Sequence, residues 1–148
     1  MPAPQQNRNY PPRQETPEIP LNDIRLGDIS DELYASVAES KAKFLAENSG
    51  EKNKSTQLRR FYDELGLWNE KVNGKGNAKD RNTRYRELAP LIKMLNAKVA
   101  YAKGRKHVDD NFEKLLRHIL GQVKDPKTLE QAKLFMEAFM GFYKAYKG

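Results

Sequence analysis

Apolar side chains in this chain recur in steps of three and four, and no segment repeats them in steps of two. Leu58, Phe61, Tyr62, Leu65, Trp68 and Val72 trace one such stripe, and Phe112, Leu115, Leu116, Ile119, Leu120 and Val123 another. A period near 3.6 buries one face of a helix, whereas a half-buried strand needs alternation. The sequence therefore predicts an all-α fold, a compact bundle of about five helices.

The helix ends are marked by local chemistry. Ser30 is an expected N-cap, with Asp31 and Glu32 in the first turn, where the helix dipole favours acids. Leu33, Val37, Phe44 and Leu45 form the face of this first helix, and Ser49-Gly50 ends it. Ser55 is the expected cap of the second, which breaks at Asn73-Gly74-Lys75-Gly76-Asn77. A third helix is expected to start between Asp80 and Arg84 and to carry Tyr85, Leu88, Ile92, Leu95, Val99 and Ala102. Pro90 lies inside that pattern and lacks a backbone donor, which predicts a kink or a late start. Gly104 is the expected left-handed stop. Asp109 or Asp110 caps the fourth helix, and Asp125-Pro126 opens the fifth. The fifth has the widest apolar face, from Leu129 through Phe135, Met136, Phe139, Met140, Phe142 and Tyr143 to Tyr146. Such a helix is central to the bundle or partly committed to a partner.

Six of the eight prolines fall in the first twenty residues, beside Gln5, Gln6, Asn7 and Asn9. So polar and Pro-rich a segment buries too little apolar surface to offset the entropy of ordering. Residues 1–29 are therefore expected to be a disordered or extended arm, and residues 30–148 a single domain with a basic loop at about 73–82. Ile19, Leu21, Ile24, Leu26 and Ile29 could pin part of the arm to the body.

Several function classes are disfavoured. There is no cysteine, hence no disulfide framework and no thiolate chemistry. His107 and His118 are not at a metal-ligand spacing, and no Gly-rich phosphate loop or nucleophile signature occurs. The expectation is a protein that is not an enzyme and needs no metal or cofactor. The N-terminus lacks a signal-peptide pattern, and no apolar run approaches the roughly 18–20 residues that span a bilayer. A cytoplasmic protein without membrane contact is expected.

The charge is local. Residues 51–106 hold fifteen Lys and Arg against six Asp and Glu, a net +9, while residues 1–50 carry −3 and 107–148 carry +1. A confined excess of this size is the footprint of a polyanion-binding face. It divides into three clusters. Lys54, Ser55, Gln57, Arg59 and Arg60 sit at the start of the second helix, where free N–H groups already favour an anion. The alternative there is intrahelical pairing of Arg59 with Asp63 and Arg60 with Glu64. Lys98, Tyr101 and Arg105 share one side of the third helix, with Lys103 and Lys106 at its end. No acid occurs between Glu87 and Asp109 to neutralise them locally, and an aromatic among cations can stack a base. The alternative is that Tyr101 is core-rim and the lysines only solubilise. Lys75, Lys79, Arg81, Arg84 and Arg86 form a third, loop-borne cluster suited to non-specific phosphate attraction. No base-reading motif is present, so the expected binding is backbone-directed and sequence-tolerant.

Three stretches resemble a known family. Lys54-Ser55-Thr56-Gln57-Leu58-Arg59-Arg60-Phe61 is similar to the opening of the second helix in the small Csm-type subunit of type III-A CRISPR effector complexes. Lys98-Val99-Ala100-Tyr101-Ala102-Lys103-Gly104-Arg105 is similar to that family's helix ending in Tyr-Ala-x-Gly-Arg. Phe135 through Lys144 resembles its aromatic-rich closing helix. The resemblance covers about residues 53–148 and leaves out the arm and the Gly/Lys-rich loop. It implies an all-α, non-catalytic, RNA-binding subunit of an antiviral ribonucleoprotein. Several copies would line the complex, contact guide RNA and target RNA through the backbone, and pack against other Csm-type subunits. Target cleavage would belong to those other subunits. The residues carried over by motif are Lys54, Ser55, Arg59, Arg60, Lys98, Tyr101 and Arg105. Two readings stand beside it: a helical protein–protein module whose basic face meets an acidic partner, and a DNA-binding regulator with duplex preference.

Overall fold

The last helix organises the molecule. In the computed structural model, which describes residues 16–147, α6 (Pro126–Lys147) packs against α1 (Ala38–Asn48), α2 (Ser55–Asn73), α3 (Ala78–Lys93) and α5 (Asp110–Gln122). Leu129, Ala132, Phe135, Met136, Phe139 and Tyr143 are buried along it, so the wide apolar face is used mainly inside the fold. Leu134 and Tyr146 are left exposed. α4 (Leu95–Gly104) packs on α5, and α3 on α2. The bundle is all-helical among the described residues, as the periodicity predicts. None of its helices is long and apolar enough to cross a membrane.

The predicted third helix is α3 and α4 in succession. Pro90 sits inside α3, and the ladder tightens four residues later: the Met94 N–H is shared between the carbonyls of Pro90 at 3.1 Å and Leu91 at 3.2 Å. The expected interruption is there, but the expected late start is not. Asn77 and Asp80 form a capping box, with Asp80 N–H donating to Asn77 Oδ1 at 3.0 Å, so α3 begins at Ala78. The loop expected over 73–82 is thereby shortened to 74–77, where Gly76 supplies a positive φ of 88°. Lys79 and Arg81 are helical residues rather than loop residues.

The first helix also departs from expectation. Ser30 does not cap it with its side chain. A π-helical turn, Leu33–Val37, precedes α1, with Val37 N–H donating to the carbonyl of Glu32 at 3.0 Å. Leu33 enters the core from this wider turn.

Residues 16–29 run as an extended strap across the bundle, so packing begins ahead of the expected domain boundary at residue 30. Ile19 and Ile24 are buried, and polar side chains of the helices hold the strap backbone. Asn111 accepts from Ile19 N–H at 3.0 Å and donates to Pro17 O at 2.9 Å. Gln122 accepts from Leu26 N–H at 2.8 Å, and Gln131 binds both backbone groups of Gly27. His118 is part of this clasp, its Nε2 2.9 Å from the Ile24 carbonyl. The buried Lys41 ammonium reaches Asp23 at 2.8 Å. The Pro/Gln-rich start of the expected arm lies outside the described residues.

Candidate nucleic-acid interface

Two chain segments more than forty residues apart meet at one end of the bundle. The first is the turn into α2. Asn53 is fully buried in the left-handed region, at φ 61°. Its N–H donates to His107 O at 3.0 Å, and its Oδ1 accepts from Asp109 N–H at 2.9 Å. Its Nδ2 donates to Ser49 Oγ at 2.7 Å, and its carbonyl accepts from the Tyr143 hydroxyl at 2.5 Å. Burial pushes the Tyr143 phenol above its ordinary pKa. Asparagine tolerates this backbone, and its short amide can satisfy groups on both sides of the junction. Lys54 then takes the N-cap position in an extended conformation, and no side chain caps the helix. Ser55, expected to be the cap, is the first helical residue instead.

The second segment is the end of α4. Gly104 stays helical, and the left-handed stop is Lys106, at φ 66°. His107 N–H reaches back to Ala102 O at 2.9 Å and Lys106 N–H to Lys103 O at 2.9 Å, the two bonds of a Schellman ending. A side-chain-bearing residue in that conformation costs about 1–2 kcal/mol. Lys106→Gly is expected to raise stability by about 1 kcal/mol, discounted for the looser unfolded chain, seen as a higher denaturant midpoint. The same change removes a cation from the site.

Between these segments, α2 and α4 enclose an open groove of about 620 Å³. Gln57, Arg60, Phe61 and Glu64 line it from α2, and Ala97, Lys98, Tyr101 and Ala102 from α4, with Met94 and His107 at the ends of α4. Members of the first two predicted clusters are thus brought together. Tyr101 is 66% exposed. Arg105 donates to its hydroxyl at 2.8 Å and sits over its ring, 5.8 Å from the centroid.

The cations of the basic window differ in what they already hold. Lys98 is 2.9 Å from Glu64, which also accepts from Trp68 Nε1. Lys103 is paired with Asp110 at 3.1 Å and Glu113 at 3.5 Å on α5, and the Asp110 hydrogen bond raises its pKa. No acid neutralises these two lysines within their own stretch, but other helices supply partners that the sequence does not reveal. Lys93 donates to the carbonyls of Leu120 and Val123 at the end of α5, and burial lowers its pKa. Arg59 is only 3.7 Å from Asp63, both exposed, a pairing of little energy. Arg60 has no carboxylate partner among the described residues, since Glu64 is held by Lys98; its guanidinium donates to Gln57 Oε1 at 3.5 Å. Lys54, Arg105 and Lys106 likewise form no ion pair there.

The third cluster lies at the far end of α2, roughly 28 Å away at 1.5 Å per residue. Arg84 is a structural clamp: it donates to Val72 O at 2.9 and 3.1 Å and also to Lys75 O, closing the end of α2. Arg81 borders a smaller depression of about 300 Å³ with Asn73, Asn82 and Lys127. Lys75, Lys79 and Arg86 are exposed. Sequence reasoning missed Phe61, Glu64, Met94, Ala97, Ala102 and His107 as groove residues. Met94 and Ala97 lie seven and four positions before Tyr101, a helical spacing that could have revealed them. No group of three or more His, Cys, Asp or Glu among the described residues could hold a metal ion.

A family model described as Csm2 Type III-A matches residues 31–148, a span that contains both walls of the groove. No curated protein matches the chain, and no solved structure does.

Proposed function

The chain belongs to the Csm2 Type III-A family and is a structural subunit of a type III-A CRISPR effector complex with other Csm subunits, and we propose that it holds RNA there through the backbone. In this reading it performs no catalysis, and the chemistry of target cleavage lies in other subunits. The RNA is the guide, the target or both, and copies of this chain stand side by side along it in the cytoplasm.

One observation carries the reading. The Asn53–His107 backbone bond joins the start of α2 to the end of α4, so that Lys54, Arg60, Arg105 and Lys106 share one end of the bundle with no acidic partner among the described residues. Cations on rigid helix ends present a fixed spacing to successive phosphates, and they carry no base code. Lys75, Lys79 and Arg86 are a separate and weaker source of attraction. Arg84 is occupied with the α2–α3 junction, and Lys103 with α5.

The test is RNA binding by the full-length protein across a salt series. The triple variant Lys54→Ala, Arg59→Ala, Arg60→Ala is expected to bind single-stranded RNA at least about tenfold more weakly at low salt. Its plot of log affinity against log salt should flatten by about 0.7 for each phosphate that the variant no longer neutralises. Lys75→Ala with Lys79→Ala should do much less. Wild-type affinity in the triple variant at low salt would sink the assignment.

A further inference from the structure

We propose that the α2–α4 groove receives a nucleobase turned out of its stack, while the cations around it hold the flanking phosphates. The inference rests on the RNA reading above and names what enters the groove.

The interior of the groove is unsuited to a phosphate. Its lining includes Phe61, Met94, Ala97 and Ala102, and its one carboxylate, Glu64, is neutralised by Lys98 at 2.9 Å. A phosphate placed inside would leave water for apolar walls and approach that carboxylate, which is unfavourable on both counts. A flat, neutral ring gains from the same surroundings. The ring also brings edge donors and acceptors, and the groove offers Gln57, Glu64, Arg60 and His107 to meet them. Its volume, about 620 Å³, lies within the range of clefts that hold small aromatic ligands.

Tyr101 is positioned as the stacking surface. Its ring is 66% exposed yet tied down, because Arg105, one turn later on the same face, both covers the ring with its guanidinium and donates to the hydroxyl. Holding an exposed aromatic in one orientation before the ligand arrives lowers the ordering cost of binding. The apolar floor and the cationic rim divide the work between base and backbone. The ligand class is therefore single-stranded or bulged RNA. A continuous duplex keeps its bases stacked and has none to offer.

The experiment compares a single-stranded oligoribonucleotide with the same strand carrying abasic sites at alternate positions. The phosphates are unchanged and the bases are removed. Full-length wild-type protein is expected to bind the abasic strand about tenfold more weakly, the scale of one aromatic–base stack. Tyr101→Leu, a change at an exposed position whose folding is checked by its melting curve, is expected to bind both strands alike, at the wild-type abasic level. The salt slopes of the two strands should agree. Equal wild-type affinity for both strands, with a steep salt slope retained, overturns the base inference and leaves backbone binding standing. Equal reductions on both strands for Tyr101→Leu also overturn it, since the tyrosine would then act on the backbone. Absence of salt-sensitive binding to either strand removes both readings.

Discussion

Asn53→Ala is expected to lose about 3–4 kcal/mol of folding stability, more than any surface change in the molecule. Two physical terms add. Alanine at φ 61° carries the steric cost of the left-handed region, about 1–2 kcal/mol. Removing the amide also leaves the part-buried Asp109 N–H without its partner and takes one bond from the Ser49 hydroxyl, which still donates to Leu45 O, at about 1–3 kcal/mol for an orphaned buried group. Urea unfolding should show a lower midpoint with an unchanged slope. Asn53→Gly separates the terms: glycine accepts the backbone geometry, so only the absence of the amide hydrogen bonds remains and the cost should be clearly smaller. If alanine and glycine were equally tolerated, the junction would not depend on this residue. The variant has a second expected signature. Because Asn53 holds the start of α2 against His107 and Asp109, RNA affinity should fall even at temperatures where the chain is still folded.

The other large effect lies in the aromatic core. Phe112→Ala is expected to cost about 3–5 kcal/mol. Phe112 is fully buried where α2, α5 and α6 meet, with ring centroids 5.7 Å from Phe61 and 6.4 Å from Phe139; Phe139 in turn stacks on Tyr143 at 5.5 Å. Deleting the ring forfeits its transfer from water and opens a cavity that three helices cannot close without disturbing one another. Phe112→Leu, which fills most of the volume, should cost less than half as much. The two predictions differ in a useful way. The folded fraction of Phe112→Ala keeps the Asn53 bonds across the α2–α4 junction and loses only packing behind Phe61, so its RNA affinity should fall less than that of Asn53→Ala. A Phe112→Ala variant within about 1 kcal/mol of wild type would mean that this cluster repacks freely.

The extent to which the sequence foretold this molecule follows from the range of each interaction. Helical periodicity is a local property, and the stripes on α2, α5 and α6 were legible because most of the apolar positions on them face one common core. The interruption after Pro90 was legible for the same reason. The helix ends were harder. Gly104 carries the expected chemistry of a stop, but the chain turns two residues later on Lys106, where bonds to Ala102 and Lys103 fix the ending. The cap at Asn77 was written in the sequence as Asn-x-x-Asp, and the run of glycines beside it drew the reading toward a longer loop. The candidate site was legible only in parts. Both groups of cations were visible as residues, but their meeting depends on Asn53, whose role has no periodic signature. Glu64 lies 34 residues from Lys98, so charge counting along the chain could not pair them.

The strap has a consequence for how the chain is made. Its partners Asn111, Gln122 and Gln131 lie 92 to 104 residues downstream of the groups they bind. Helical bundles generally assemble quickly because their contacts are local, but these contacts are not. During synthesis the strap leaves the ribosome before α5 and α6 exist, and its backbone lacks the side chains of Asn111, Gln122 and Gln131 until those helices are made. The α2–α3 hairpin can pair while translation continues. Docking of the strap then becomes a closing step, taken after the helices have gathered, and it sets the moment at which the nascent chain stops offering apolar surface to its neighbours.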